Sequence, residues 1–284
     1  MTTMLGIPKL RHSFTEAVRA SLELCAFQAS RAILSAATPP GDGAPVLVFP
    51  GFGAGDGTTA VLRGFLKDKG YFAHALKGGR NLGPSQDALT QMRDRLDEVF
   101  KQHDGRKVTL IGHSLGGVFA RELARAYPDK VEQVITLGSP FGASEKSEIS
   151  VRALLRMFHI LYGGKRDYVG NRSITDHLLD QLPVPSTSIY SQMDGVVNWR
   201  SCINQLGQKN ADHAEVMSSH CGLVMNPLSM LVVLDRLQQK PGEWKPFNRY
   251  KYSGFLFPSD QGHETYTPPS RPKRSHLPGP YIFD

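Results

Sequence analysis

The sequence predicts an α/β fold, a mostly parallel central sheet with helices on both faces. Three observations predict it. Short apolar-rich runs bounded by turn residues, Val46 to Phe49 and Val108 to Ile111, suit strands buried on both faces. Segments with helical spacing alternate with such runs. Turns bearing glycine and serine follow the runs, where functional groups of such sheets collect. With 284 residues, 40% of them hydrophobic, the chain can bury one large core. A charged fraction of 21% alongside those runs argues against disorder.

Three regions follow from the pattern: an N-terminal helix and linker over 1–45, a core over 46–240, and an extension over 241–284 rich in proline and aromatics. Phe14 to Ala37 is apolar-rich but interrupted by Glu16, Arg19, Glu23 and Arg31. It reads as an amphipathic helix packed on its own domain, with transient contact to a membrane or lipid interface as the alternative. Thr38 to Pro45 breaks it. In the core, Val46 to Phe49 is a strand ending in the turn Pro50-Gly-Phe-Gly, and Thr58 to Lys69 has helical spacing. Gly70 to Leu76 is a second strand. Ser85 caps a helix reaching His103, with Leu89, Met92, Leu96, Val99 and Phe100 on one face. Val108 to Ile111 runs into Gly112-His-Ser-Leu-Gly116, and a helix from Val118 to Tyr127 follows. Strands at Val131 to Leu137, Thr187 to Tyr190 and Glu215 to Ser218 come next, then a closing helix over Asn226 to Gln239, started by Pro227. A long insertion, about 141–184, interrupts this alternation and reads as a helical cap.

Net charge is +7, with acids and bases mixed along most of the chain. That suits a soluble, self-repelling protein, or one drawn to an anionic surface. The basic cluster Arg271, Lys273 and Arg274 in the tail is too small to carry nucleic-acid binding. Met1 to Pro8 lacks the form of a secretory signal, and no apolar run is long enough to span a bilayer, so a cytoplasmic location is expected. Three cysteines do not make a disulfide framework, and Cys25 reads as a small buried hydrophobe.

Gly112-His-Ser-Leu-Gly116 has the form G-x-S-x-G, which needs a sharp strand-to-helix turn lifting a serine hydroxyl above the sheet. Here the turn follows an apolar run and opens a helix, so Ser114 is the expected nucleophile. A serine needs a base, expected after the last strand, and an acid between the two in the chain. His220 fits the base, with His213 before that strand and His263 and His276 in the tail. Asp194 fits the acid, just past a strand; Asp167, Asp176 and Asp180 fall in the insertion, and Asp212 on the approach to the last strand. The N–H groups of Phe52 and Leu115 are expected to hold the oxyanion. His113, beside the nucleophile, is expected to line the pocket or pack. Gly51-x-Gly53-x-Gly55 is not the G-x-G-x-x-G of nucleotide sites.

These motifs resemble those of bacterial lipases and esterases of the α/β-hydrolase superfamily. Pro50-Gly-Phe is similar to their oxyanion turn, and Gly112-His-Ser-Leu-Gly-Gly117 to their nucleophile elbow. Gly138-Ser-Pro140, Ser191-x-x-Asp194-x-x-Val197 and Ser219-His220 are also similar. One departure is the Pro-Gly start of the oxyanion turn, where many lipases have His-Gly. The resemblance implies ester hydrolysis through an acyl-enzyme, with no metal and no cofactor, on a small-molecule ester or lipid. Acyl transfer by the same residues, or a non-catalytic binding protein of this fold, are the competing readings. Cys202 and Cys221 lie on the loops of the acid and the base. They are read either as two free thiols or as a disulfide clamping those loops, worth about 3 kcal/mol by chain entropy. In the cap, Leu154, Leu155 and Phe158 either line an acyl pocket or pack at the sheet edge.

Overall fold

The computed structural model describes residues 10–141, 181–204, 208–252 and 254–258. Its centre is a six-stranded sheet: β1 Pro45–Phe49, β2 Phe72–Ala75, β3 Val108–His113, β4 Val131–Leu137, β5 Ser186–Tyr190 and β6 Ala211–Glu215. The strand order is β2-β1-β3-β4-β5-β6, and every neighbouring pair is parallel. Among the described residues, five α-helices complete the frame: α1 Leu10–Ala37, α2 Ala60–Asp68, α3 Gln86–Gln102, α4 Leu115–Ala126 and α5 Pro227–Leu237.

The two-residue period of a strand sends alternate side chains into two separate cores. On β1, Val46 and Val48 join Phe27 of α1, Leu62 and Phe65 of α2 and Val232 of α5. Leu47 and Phe49 join Leu89 and Leu96 of α3 and Val118 and Phe119 of α4 on the opposite face. Helices therefore cover both faces of the sheet. Ser85 caps α3 by accepting from the Ala88 N–H at 3.1 Å. Asn226 caps α5 by accepting from the Leu228 N–H at 2.9 Å, with Pro227 inside the first turn.

The chain leaves β1 for β2 on one side, then returns to place β3 on the other. The strand order reverses between β1 and β3, whose carboxyl ends lie side by side with Phe49 in register with Gly112, and ligand sites of such sheets collect at a reversal of this kind. The turn after β1 and the turn after β3 meet there.

Two expectations need correction. The last strand runs Ala211–Glu215, earlier than the expected 215–218. Its sequence, Ala-Asp-His-Ala-Glu, carries edge-strand polarity that an apolar pattern passes over. Beyond it the Val216 N–H still reaches the Tyr190 carbonyl at 2.9 Å, but the Ser218 and Ser219 N–H groups turn to side-chain acceptors. Cys25 is exposed on α1 rather than buried. On α1 itself the buried row is His12, Glu16, Ala20, Phe27 and Leu34, whereas Phe14, Val18, Leu22 and Ile33 face outward.

Candidate active site

Ser114 leaves β3 with φ 52° and ψ −123° and becomes the N-cap of α4. Side chains rarely adopt this conformation, which costs on the order of 1–3 kcal/mol and turns the chain sharply at the sheet's edge. The strand end is fixed by the Ser114 N–H donating to the Leu137 carbonyl at 2.8 Å. The elbow closes only because its flanking residues have no side chains. A Cβ on Gly112 would lie 2.2 Å from Gly117 Cα, and one on Gly116 2.4 Å from the Phe49 carbonyl oxygen.

The turn after β1 lies against the elbow. A Cβ on Gly51 would be 3.2 Å from Ser114 Cβ. Asn81 braces this turn from three directions. Its Nδ2 donates to the Pro50 carbonyl at 2.9 Å, its carbonyl accepts from Gly53 N at 2.7 Å, and its N–H donates to the Ala54 carbonyl at 2.9 Å. Phe52, half-buried, sits inside the braced segment. Leu115 is the first residue of α4, and the N–H groups of a helix's first turn have no intrahelical acceptor.

Asp194 follows β5 and His220 follows β6, and the structure brings them together. His220 Nδ1–H donates to Asp194 Oδ2 at 2.6 Å. The other carboxylate oxygen accepts from the Val196 and Val197 N–H groups at 2.8 and 2.7 Å. Both residues are buried. Burial alone would lower the pKa of His220; the Asp194 charge, its hydrogen bond and the more distant Glu16 outweigh burial and raise it. The imidazole is thus fixed in the tautomer that leaves Nε2 bare when neutral. Ser191 ties the two loops by accepting from Met193 N at 3.0 Å and Ser218 N at 3.1 Å.

His113, expected to line the pocket or pack, packs against His220. Its ring lies 4.8 Å from that of His220, and its Nε2–H donates to the His220 carbonyl at 3.0 Å. Burial, then the charge of His220, push its pKa down to about 3, so it packs as a neutral ring. Cys202 and Cys221 are separate thiols, one buried and one exposed, so the clamp expected of a disulfide is not formed by them. Burial raises the Cys202 thiol well above its ordinary value. Leu154, Leu155 and Phe158 lie outside the described residues, as do Asp167, Asp176, Asp180, His263, His276 and the basic cluster of the tail. The rival acid Asp212 lies within β6 and accepts from Phe247 N at 2.5 Å; His213 is also in that strand.

The residues that sequence reasoning missed are Asn81, Glu16 and Glu23. Glu16 accepts from Gly195 N at 2.8 Å and from Cys221 N at 3.2 Å. Glu23 accepts from Ser219 N at 2.7 Å, from Asn226 Nδ2 at 2.9 Å and from the Ser218 hydroxyl. A signal was present: Glu16, Ala20, Glu23, Phe27 and Leu34 recur at helical spacing on one face. Among the described residues, no group of three or more His, Cys, Asp or Glu is placed to hold a metal ion, and no helix is long and apolar enough to cross a membrane.

Residues 44–178 match the family model of the α/β-hydrolase fold. The chain has the α/β-hydrolase fold. Across 111 residues, 36% of this chain, it is 34% identical to abhydrolase domain-containing protein abhd-5.2 of Caenorhabditis elegans. That stretch is 24% of the relative's length, so the chain spans about a quarter of the curated protein it matches. Among solved structures, an α/β superfamily hydrolase from Oenococcus oeni PSU-1 aligns over 70% of this chain and 94% of its own, at 15% identity and a TM-score of 0.50. A monoacylglycerol lipase of Paleococcus ferrophilus aligns over 69% and 95%, at 18% identity and a TM-score of 0.49. On this α/β-hydrolase frame, the serine elbow, the braced turn and the Asp–His pair share the carboxyl edge of the sheet.

Proposed function

We propose that this chain is a serine hydrolase that cleaves carboxylic esters through an acyl-enzyme, with Ser114 as nucleophile, His220 as base and Asp194 as its orienting acid. The observation that carries the reading is the buried 2.6 Å Asp194–His220 hydrogen bond at the strand ends, on the same edge of the sheet as a serine held at φ 52°.

The steps follow from these groups. Ser114 Oγ attacks the ester carbonyl carbon while His220 Nε2 takes its proton. The imidazolium formed is stabilised by Asp194, which stays ionised. Negative charge developing on the carbonyl oxygen is met by the N–H groups of Phe52 and Leu115, which need no reorganisation. The tetrahedral adduct collapses, the ester C–O bond breaks, and His220 returns its proton to the departing alcohol. A water then loses a proton to His220 and adds to the acyl carbon. A second collapse releases the acid and regenerates Ser114. The substrate class is a small-molecule ester or lipid with an apolar acyl group. No metal or cofactor enters this scheme.

The test is hydrolysis of p-nitrophenyl esters from acetate to palmitate by the wild type and Ser114→Ala. A loss of at least about 10³-fold in the variant is expected. Equal activity in the two would remove Ser114 from the mechanism. The preferred chain length separates esterase from lipase. Diversion of product into a new ester on adding an alcohol would assign acyl transfer instead.

A further inference from the structure

The loops of the acid and the base make few direct bonds to each other beyond the Asp194–His220 pair and Ser191. Much of their backbone is instead held from outside, by a helix some 180 residues earlier in the chain. Glu16 receives one N–H from each loop, that of Gly195 beside the acid and that of Cys221 beside the base. Glu23, two turns further along, gathers the Ser219 N–H, the Ser218 hydroxyl and the Asn226 amide. Arg19 completes the contact, donating to the Met193 carbonyl at 2.9 Å and to Glu16 at 2.8 Å. Ser13 Oγ donates to the Gly195 carbonyl at 2.5 Å. The fit is close: a Cβ on Gly195 would lie 2.5 Å from the His12 carbonyl carbon.

A helix that merely covered the sheet would direct its apolar residues inward. Here Phe14, Val18 and Leu22 face outward, while buried Glu16 and half-buried Glu23 are turned towards the loops of the site. Burying carboxylates is costly unless their oxygens are fully engaged, and these are engaged by N–H groups of the two loops. We propose that Glu16 and Glu23 are positioning residues, a carboxylate clamp by which the N-terminal helix sets the acid loop against the base loop. The proposal rests on the serine-hydrolase reading for its effect on turnover. It assigns to α1 the bridging role that a Cys202–Cys221 bond would otherwise have filled.

The charged and titratable groups facing His220 are Asp194 from the acid loop, neutral His113 from β3, the Cys221 thiol on its own turn, and Glu16 with Glu23 beyond it from α1. Glu16 adds to the potential that favours the imidazolium. In Glu16→Gln, the pKa of His220 should therefore fall. In Glu23→Gln, an NH2 group meets the Asn226 amide or the Ser219 N–H, so the base loop shifts without losing a charge that acts directly on His220.

The experiment combines kinetics with an NMR titration of the His220 ring in the wild type, Glu16→Gln, Glu23→Gln and Asp68→Asn. Asp68→Asn removes only the exposed ion pair between Arg31 and Asp68 at the far end of α1. Both glutamate variants should lose kcat by about 10- to 100-fold with KM little changed, since misplacement by about 1 Å suffices. Glu16→Gln should also move the acid limb of kcat/KM and the His220 titration to lower pH. Asp68→Asn should keep wild-type kcat. Unaltered kcat and an unaltered His220 titration in both glutamate variants, or an equal loss in Asp68→Asn, would overturn the clamp. A wild type inert to esters and to a serine-directed phosphonate would sink the hydrolase reading alone, because the His220 titration still reports the clamp.

Discussion

Gly138 lies directly behind His220: a Cβ built on it would be 3.2 Å from the imidazole Nδ1 and equally close to Asp194 Oδ2. β4 therefore ends with bare backbone against the hydrogen bond of the acid–base pair. The residue also has φ +58°, and its Cβ would meet Leu223 Cδ1 at 2.7 Å. Gly138→Ala must then bear left-handed strain of about 1–2 kcal/mol and displace either Leu223 or the imidazole. The melting temperature should fall by roughly 2–8 °C, and kcat should fall with it at temperatures where the variant is fully folded. A melting curve and ester turnover check this; a variant with wild-type values for both would contradict the packing.

Asp194→Asn separates orientation from folding. The Oδ1 position keeps its two backbone donors, Val196 and Val197, so the loop retains its anchor. The other position becomes an NH2 facing His220 Nδ1, which must then accept rather than donate. Nε2 carries the proton and cannot take one from Ser114. A loss of about 10⁴-fold in kcat is expected with little change in melting temperature. A loss below tenfold would show that Asp194 does not set the tautomer.

The pH dependence has a fixed sign. His220 must be neutral to act as base, and its pKa is raised above 6.5, chiefly by Asp194 acting against burial. Log kcat/KM should therefore rise with pH along an acid limb whose midpoint lies above 6.5. Stability runs the other way. The contribution of the charged pair is full below the unfolded value of 6.5 and is lost as pH rises through the folded pKa. A rate profile and melts across pH 5 to 9 test both; an acid limb centred below 6.5 would refute the assignment of the base.

The frame and the strand-end residues were legible because each rests on a local pattern. Val46 to Phe49 and Val108 to Ile111 are apolar-rich runs that suit a sheet covered on both faces, and Ser114, Asp194 and His220 each follow a strand. The final strand was misplaced because Asp212, His213 and Glu215 give it the polarity of an edge. The helix α1 is legible, and Glu16 and Glu23 share a helical face with Ala20, Phe27 and Leu34, but nothing local in the sequence records the N–H groups of Gly195, Ser219 and Cys221 that engage them. Loop order likewise leaves Cys202 and Cys221 open between a bond and two free thiols, and the structure keeps them as free thiols.

Asn81 is the clearest case of such a contact at the turn after β1. It is buried, and its side-chain amide and backbone grip the turn Pro50 to Ala54 through the Pro50 carbonyl, the Gly53 N–H and the Ala54 carbonyl. Asn81→Ala leaves the turn's backbone pairs intact but removes two side-chain bonds, freeing the buried Pro50 carbonyl and the Gly83 N–H. The stability loss should be at least about 1–3 kcal/mol, the cost of leaving one such group unsatisfied. The kinetic effect should exceed it in specificity. If Phe52 N–H stabilises charge that exists only in the transition state, loosening its turn lowers kcat and kcat/KM together and leaves KM nearly unchanged. A kcat loss of about 10- to 100-fold is expected, smaller than the loss on removing a donor outright at the upper end of that effect. A rise in KM at constant kcat would instead place Asn81 in ground-state binding, and would move the oxyanion donor away from the turn after β1.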